Sequence, residues 1–302
     1  MRLAHLSDVH VLDLTGVPWT RFLNKRVTGL VNLVGHRKHA HPTRLLEAAV
    51  AELASDRTID HIVVTGDLTN LSLESEFVRA RQILAPLAGR ISVIPGNHDV
   101  YTRGAAKARR FEQHFGDWMW GPGIDPTDLI DPGSASYPWL KDAGEVVLLG
   151  FCSAVPRAPF VATGHVSHAQ IERLARLHAD GALEGRCAVA LVHHNLHARG
   201  FRKDKMHGLT NRDAFIAALA RAGVHLLLHG HTHVSHRFEQ DGVSIVGSGS
   251  STWSSLVPEH VGRYNVYDLG ADGLRSIEVR RWSEAQSRFS PDAPSAGWRS
   301  LD

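Results

Sequence analysis

The chain has 302 residues, of which 43% are hydrophobic and 21% charged, and its formal net charge is +2. This composition excludes a disordered or fibrous protein and fits one large α/β domain or two small ones. The two cysteines, Cys152 and Cys187, lie in or beside apolar runs, which excludes a disulfide framework and favours a reducing compartment. Histidine is unusually frequent, with 21 residues.

The amino-terminal residues do not resemble a targeting segment. Met1 to Leu6 are too few for a signal peptide, and Asp8 follows them almost at once. No apolar run approaches the roughly 20 residues of a membrane-spanning helix. We therefore expect a cytoplasmic protein, whose only membrane contact would be peripheral, at the inner face.

The first predicted strand, residues 2–6, is followed by Asp8 and His10. In extended backbone, residues two apart point to the same side, so these two side chains can reach a common ion. Taken alone, an Asp-x-His pair is more often a surface pair than a pair of ligands.

A basic segment follows these residues. Residues 14–46 contain no Asp or Glu but hold six basic side chains: Arg21, Lys25, Arg26, Arg37, Lys38 and Arg44. Apolar residues recur between them at roughly helical spacing: Trp19, Phe22, Leu23, Val27, Leu30, Val31 and Val34. We interpret residues 14–41 as a basic amphipathic insert. Its apolar stripe either packs on the domain, or residues 19–39 form a cap that contacts an anionic substrate or membrane.

The next elements alternate between helix and strand. Helices are predicted at 43–55 and 74–87, and buried strands at 62–64 and 91–94. This order argues for a largely parallel sheet with helices on its faces.

Both strands end on polar side chains. The first is followed by Asp67, and Gly66 before it lets the backbone approach whatever Asp67 binds. The second is followed by Asn97, His98 and Asp99. An amide oxygen can bind a metal without adding charge, an imidazole can transfer a proton, and an adjacent carboxylate can orient that imidazole.

The second half of the chain continues the pattern after residues 101–140, which we interpret as a long surface excursion. Strands are predicted at 146–150, 188–192 and 224–228, and the last two end on His193 and on His231 and His233. Short strands at 243–246, 264–267 and 276–279 are predicted to form a meander that completes a second sheet. The catalytic domain is expected to span 1–282, and 283–302 to form a loosely ordered polar tail.

Seven ligand-type side chains thus follow the carboxyl ends of strands: Asp8, His10, Asp67, Asn97, His193, His231 and His233. Ligand sites form at such ends in open α/β sheets. Imidazole nitrogens with carboxylate and amide oxygens, and no thiolate, favour zinc, iron or manganese. Seven ligands are too many for one ion with an open position, but they suit two ions bridged by Asp67. With two divalent ions, two carboxylates and one hydroxide, the site would carry a charge of about +1 and attract a phosphoryl group.

The short motifs that contain these side chains, in this order over residues 8–233, resemble the signature of the calcineurin-like metallophosphoesterases. They are most similar to the bacterial branch that holds class III cyclic-nucleotide phosphodiesterases and UDP-2,3-diacylglucosamine hydrolases. The resemblance implies a four-layer α/β/β/α sandwich and two metal ions (Mn, Fe or Zn). It assigns Asp8, His10, Asp67 and His233 to the first ion, and Asp67, Asn97, His193 and His231 to the second. It places His98 at the transition state or the leaving oxygen, with Asp99 orienting it.

The implied reaction is hydrolysis of a phosphodiester or pyrophosphate bond by a hydroxide that bridges two metal ions. Two substrates remain open: a small phosphodiester such as a cyclic nucleotide, and a lipid-linked nucleotide, UDP-2,3-diacylglucosamine, at the membrane surface. A nuclease is less favoured, and no stable nucleic-acid partner is expected. A non-catalytic metal-binding scaffold is also disfavoured, because every block is intact. Oligomeric state is left open.

Overall fold

The computed structural model describes residues 1–27, 29, 40–121 and 137–292. Within them, twelve strands form two six-stranded sheets. The strands are β1 Arg2–Leu6, β2 His61–Val64, β3 Ile91–Val93, β4 Trp139–Ala143, β5 Val146–Gly150, β6 Cys187–Leu191, β7 Leu226–His229, β8 His236–Gln240, β9 Val243–Gly247, β10 Arg263–Gly270, β11 Gly273–Ser283 and β12 Arg288–Pro291.

Both sheets are mixed. The first has the order β12-β11-β10-β1-β2-β3, in which β1, β2 and β3 are parallel and β10 pairs with β1 in antiparallel register. The second has the order β4-β5-β6-β7-β9-β8, with a parallel centre and antiparallel β4 and β8 at its edges. The parallel strands of both sheets are those that carry the predicted site residues.

The two sheets pack face to face. Along β5, Val146 and Leu148 belong to the core cluster that also holds β1 and β2, whereas Val147 and Leu149 belong to a cluster with the helices of the second sheet. This alternation is the period of two that a strand with two buried faces shows.

Helices flank the sheets. Their bounds are α1 Thr43–Ser55, α2 Glu74–Leu84, α3 Arg103–Lys107, α4 Arg110–Met119, α5 His168–Ala179, α6 Phe201–His207 and α7 Arg212–Arg221. Apolar residues of α1, α2 and α4 join the core of the first sheet, and those of α5 and α7 join that of the second. The predicted α/β sandwich with four layers, α/β/β/α, is confirmed.

The stretch 101–140 is not the surface excursion that we predicted. Helix α4 buries Phe111, Phe115 and Trp118 in the main core, and β4 forms an edge of the second sheet. The spacing of these aromatic residues is helical, and this apolar stripe was the signal that the prediction missed. Residues 122–136 lie outside the described residues.

The strands at the carboxyl end also differ from the prediction. Strands β10 and β11 join the first sheet beside β1, and only β9 joins the second. Part of the predicted tail is a strand, since β12 pairs with β11 and buries Phe289 against Trp282. Residues 293–302 lie outside the described residues.

The described part of the insert has a short 3₁₀ turn, Trp19–Phe22. Trp19 and Leu23 are 72% and 68% exposed, so the apolar stripe does not pack on the domain there as a whole. Residues 28 and 30–39, with the remaining predicted stripe and Arg37 and Lys38, lie outside the described residues. Within the described ranges, no helix has both the length and the apolar character that a bilayer crossing requires.

Candidate dinuclear metal site

The structure brings all seven predicted ligands together at the carboxyl ends of β1, β2, β3, β6 and β7. At the first position, Nε2 of His10 lies 3.1 Å from Nε2 of His233, and Oδ1 of Asp8 lies 3.2 Å from the same His233 atom. Oδ2 of Asp67 lies 3.8 Å from Nε2 of His10. These four side chains are the set that the resemblance assigns to the first ion.

The second position lies on the other side of Asp67. Nε2 of His193 is 3.4 Å from Oδ2 of Asp67, 3.1 Å from Oδ1 of Asn97 and 3.3 Å from Nδ1 of His231. The same oxygen of Asp67 therefore reaches both groups, which is the arrangement that a bridging carboxylate requires.

These distances fit two metal ions. Ligand atoms about 2.1 Å from a common ion lie roughly 3.0 Å apart at right angles and up to about 4.2 Å apart when opposite. The measured separations fall in this range. At the first position, Nε2 of His10 and Nε2 of His233 lie 3.1 Å apart within a buried cluster. A cation bound between them would satisfy the lone pairs of both nitrogens.

Backbone carbonyls orient the histidines of the second position. Nδ1 of His193 donates to the carbonyl oxygen of Thr65 at 2.7 Å, which leaves the lone pair on Nε2. Nε2 of His231 donates to the carbonyl of His207 at 2.9 Å, which leaves the lone pair on Nδ1. In both cases the basic nitrogen is the one that faces the cluster, as is usual around a metal.

Five of the seven ligands have left-handed backbone: Asp8, His10, Asp67, His231 and His233 have φ between 48° and 70°. Such values are uncommon for residues other than glycine and cluster at functional sites. Strand ends alone would point side chains outward along the sheet. The left-handed residues occur where these side chains turn towards the common cluster.

Two glycines allow the loops after β2 and β3 to approach each other. Gly66 has φ +92°, and a Cβ on it would lie 2.6 Å from the backbone nitrogen of Gly96. A Cβ on Gly96 would lie 2.2 Å from Oδ1 of Asp67. The position of Asp67 therefore requires glycine at 96.

Burial and neighbouring charges shift the pKa values of the cluster residues. Burial alone would raise the pKa of Asp67, but the imidazoles of His193 and His98 hold it well below its usual range. Burial would lower the pKa of His193, but Asp67 raises it to about 9. Burial and the neighbouring His41 hold the pKa of His10 well below its usual value. In the metal-free chain a proton on His193 thus balances Asp67, and metal binding displaces it.

His98 lies beside this cluster, with a ligand-type atom within 4.8 Å of one on His10 and one on Asp67. Its Nδ1 donates to the carbonyl oxygen of Asn70 at 2.7 Å. The carboxylate of Asp99 instead accepts from the backbone nitrogens of Gly96 and Thr69, at 2.9 and 2.8 Å. Asn70, and not Asp99 as predicted, therefore orients His98, while Asp99 ties the two loops together.

Several residues around the site were not predicted from the sequence. A cleft of about 480 Å³ opens over the cluster. Its walls include Lys25, Tyr101, Phe160, Arg199 and Trp253. Lys25 lies 4.4 Å from the centre of the Tyr101 ring. These residues come from separate loops. The basic character of residues 14–46 and of the loop after His193 pointed to Lys25 and Arg199, whereas no pattern in the sequence marks Tyr101, Phe160 or Trp253.

Arg26, which we grouped with the basic face of the insert, is buried. Its Nε donates to the carbonyl of Leu71 at 2.7 Å and its Nη2 to that of Ser72 at 2.9 Å. This side chain anchors the insert to the loop after β2 and is not available to a partner.

Comparison with known proteins agrees with this site. The profile of the calcineurin-like phosphoesterase family matches residues 1–235. No curated protein sequence matches the chain.

Among solved structures, the chain is similar to a dimetal phosphatase from Danio rerio, with a TM-score of 0.58 and 14% identity over 92% of this chain and 95% of that one. It is also similar to the purple acid phosphatase PPD1 of yellow lupin (TM-score 0.57, 12% identity, 96% of this chain and 52% of that one). A third similar structure is GAP50 of Plasmodium, with a TM-score of 0.54 and 12% identity, covering 99% of this chain and 91% of that one. At these low sequence identities, the structural similarity establishes only a shared fold. The family profile covers every ligand of the two positions described above, and the chain belongs to the calcineurin-like phosphoesterase family.

Proposed function

We propose that the chain hydrolyses a phosphodiester or pyrophosphate bond at this dinuclear site, in the manner of a cyclic-nucleotide phosphodiesterase. The observation that carries the proposal is the placement of His98, at the edge of both the ligand cluster and the cleft. Asn70 accepts from Nδ1 and thereby holds the ring at the edge of the cleft, where His98 can exchange a proton with a bound substrate.

The site residues have two roles, metal binding and proton transfer. Asp8, His10, Asp67 and His233 would hold one ion, and Asp67, Asn97, His193 and His231 the other. When bound, two ions of manganese, iron or zinc supply Lewis acidity and activate water. His98 protonates the leaving oxygen, which matters most for alkoxide leaving groups.

The cleft favours a substrate with apolar or aromatic groups next to its phosphate. Tyr101, Phe160 and Trp253 come from three segments of the chain and line the cleft together with the cationic Lys25 and Arg199. Aromatic walls stack on flat rings such as nucleobases, and cations near the ions attract an anion. A diester carries a substituent on each side of phosphorus and uses such walls better than a monoester does.

A substrate panel tests this function. After manganese is added, turnover should be measured for bis(p-nitrophenyl) phosphate, p-nitrophenyl phosphate, cyclic AMP, UDP-2,3-diacylglucosamine and single-stranded DNA. We expect higher kcat/KM for the diester than for the monoester. A preference for the monoester would contradict the proposal, as would two bound ions without turnover of any substrate.

One observation favours the second candidate, a lipid-linked nucleotide pyrophosphate cleaved at the membrane surface. Exposed apolar side chains lie at or near cleft-lining residues in the sequence. Phe160 and Phe201 are 76% and 81% exposed, and Leu256 is fully exposed, near Trp253 in sequence. Trp19 and Leu23 add to them on the insert, with Arg21 and Lys25 nearby. Such side chains, with basic residues between them, suit peripheral contact with an anionic bilayer.

A further inference from the structure

His41, which precedes Pro42, brings a fifth ligand-type side chain close to the first metal position. A ring nitrogen of His41 lies within 4.8 Å of ring nitrogens of both His10 and His233. The ring centroids are 4.6 Å apart for His41 and His10, and 5.5 Å for His41 and His233. The family pattern assigns four ligands to this position, and His41 is not among them.

Hydrogen bonds determine which nitrogen of His41 carries the proton. Oγ1 of Thr252 donates to the carbonyl of Val9 at 3.0 Å, and Oγ of Ser250 donates to the carbonyl of Asp8 at 2.7 Å. A hydroxyl has one proton, and where it goes to a backbone carbonyl the oxygen accepts from Nδ1 of His41, at 2.9 Å for Thr252 and 3.4 Å for Ser250. These contacts favour the Nδ1–H tautomer of His41, in which the lone pair is on Nε2.

This arrangement is the one that metal-binding histidines have. In such sites the second nitrogen donates to a fixed acceptor, which sets the tautomer and holds the ring in place. The acceptors of His41 are bonded to the loop of Asp8 and Val9, so the ring is tied to the loop that carries two ligands. Trp253 packs against both His41 and His233, with ring centroids 5.7 and 4.8 Å away.

We propose that His41 is an additional ligand of the first metal ion. The proposal rests on the dinuclear site but not on the identity of the substrate. A fifth protein ligand raises the coordination number at this position, which favours manganese or iron over tetrahedral zinc.

Metal binding tests the proposal without using activity. The chain is stripped with a chelator and titrated with Mn²⁺, and free Mn²⁺ is followed by electron paramagnetic resonance. In His41→Asn, we expect one of the two ions to bind about 10–100-fold more weakly and the other to be unaffected. Pulsed resonance of the singly loaded site should show one fewer coupled imidazole nitrogen than wild type.

Two further variants make the result interpretable. His41→Gln keeps a donor for Thr252 and serves if His41→Asn does not fold, as judged by thermal unfolding of the metal-free chain. His260→Asn is the matched control, because His260 also packs on Trp253, at 4.9 Å, but is not in the ligand cluster. If both ions bind to the His41 variants as tightly as to wild type, the proposal that His41 is a ligand is wrong, and the dinuclear site is unaffected. A wild-type chain that binds fewer than two ions would overturn the dinuclear site and the proposal with it.

Discussion

Nδ1 of His98 donates to the backbone carbonyl of Asn70 at 2.7 Å, and the side chain of Asn70 in turn donates to the carbonyl of His10 at 2.5 Å. His98, the proposed proton-transfer group, is thus held by the loop after β2, which also carries Asp67, and that loop is bonded to the loop after β1. Three strand ends are joined in this way, and the position of His98 relative to the ligands follows from it.

His98 should act on the leaving group and not on metal binding. His98→Ala is expected to leave metal content unchanged and to lower kcat by about 10²–10⁴-fold on a diester with an alkoxide leaving group. The loss should shrink for a nitrophenolate leaving group, which needs no proton. Steady-state kinetics on both substrates, with elemental analysis, check this. An equal loss for both would leave His98 an electrostatic role only.

Asp67 should be essential to both metal positions, because its Oδ2 lies within ligand distance of His10 and of His193. We expect Asp67→Ala to abolish activity and to lower metal content towards one ion or none. Elemental analysis after metal supplementation measures this. Two tightly bound ions in the variant would contradict the bridge.

Gly96 should tolerate no side chain. A Cβ there would meet the carboxylate and backbone nitrogen of Asp67 at 2.2 and 2.3 Å, so Gly96→Ala must displace the bridging residue. We expect metal affinity and activity to fall at least tenfold, on the scale of ligand-positioning changes. Gly89→Ala is the control, since its Cβ would enter open space, and it should behave like wild type. A Gly96→Ala chain with normal metal affinity would show that the loops can separate without cost.

His61 should make stability depend on pH. Burial, and then the charges of Lys141 and Arg90, lower the pKa of His61 to about 4. The native state therefore binds fewer protons than the unfolded state, so stability is lost as the pH falls from about 6.5 to about 4. Nε2 of His61 also bonds Oγ of Ser92 at 2.9 Å.

His61→Gln can keep that hydrogen bond but does not titrate. Urea unfolding of both metal-free chains should show that the free energy of unfolding of wild type falls relative to the variant, by up to about 3 kcal/mol, between pH 6.5 and 4. Parallel pH profiles of the free energy of unfolding would show that the pKa of His61 is the same in the native and unfolded states.

Membrane contact is tested through exposed side chains that do not line the cleft. Trp19→Ser with Phe201→Ser should weaken binding to vesicles of anionic lipid by about tenfold or more, because each side chain would otherwise bury its apolar surface. Turnover of bis(p-nitrophenyl) phosphate should not change. Val78→Ser is the control, since Val78 is also exposed but lies on α2. Vesicle binding that is equal in all variants would exclude docking through these residues.

Sequence alone was sufficient to predict that the seven ligand-type side chains lie together. Each follows an apolar run that reads as a buried strand, and the ends of parallel strands meet at one edge of a sheet. Asp67 and His193 show this: they are far apart in the chain, yet their strand-end positions predict that they meet. The four-layer fold followed in the same way, from the alternation of strands and helices and from the family resemblance.

Only the tertiary structure decided which groups support those ligands. The carbonyl of Asn70 orients His98, and a backbone oxygen has no signature in a sequence. The ring of His41 lies beside His10 and His233, and its Nδ1 is hydrogen-bonded to Thr252, 211 residues away in the chain. Arg26 belongs to a basic stretch but is buried, since the carbonyls of Leu71 and Ser72 happen to face it. Local periodicity reports on faces of helices and strands, whereas these contacts join distant loops, so they are determined by how the sheets and loops pack.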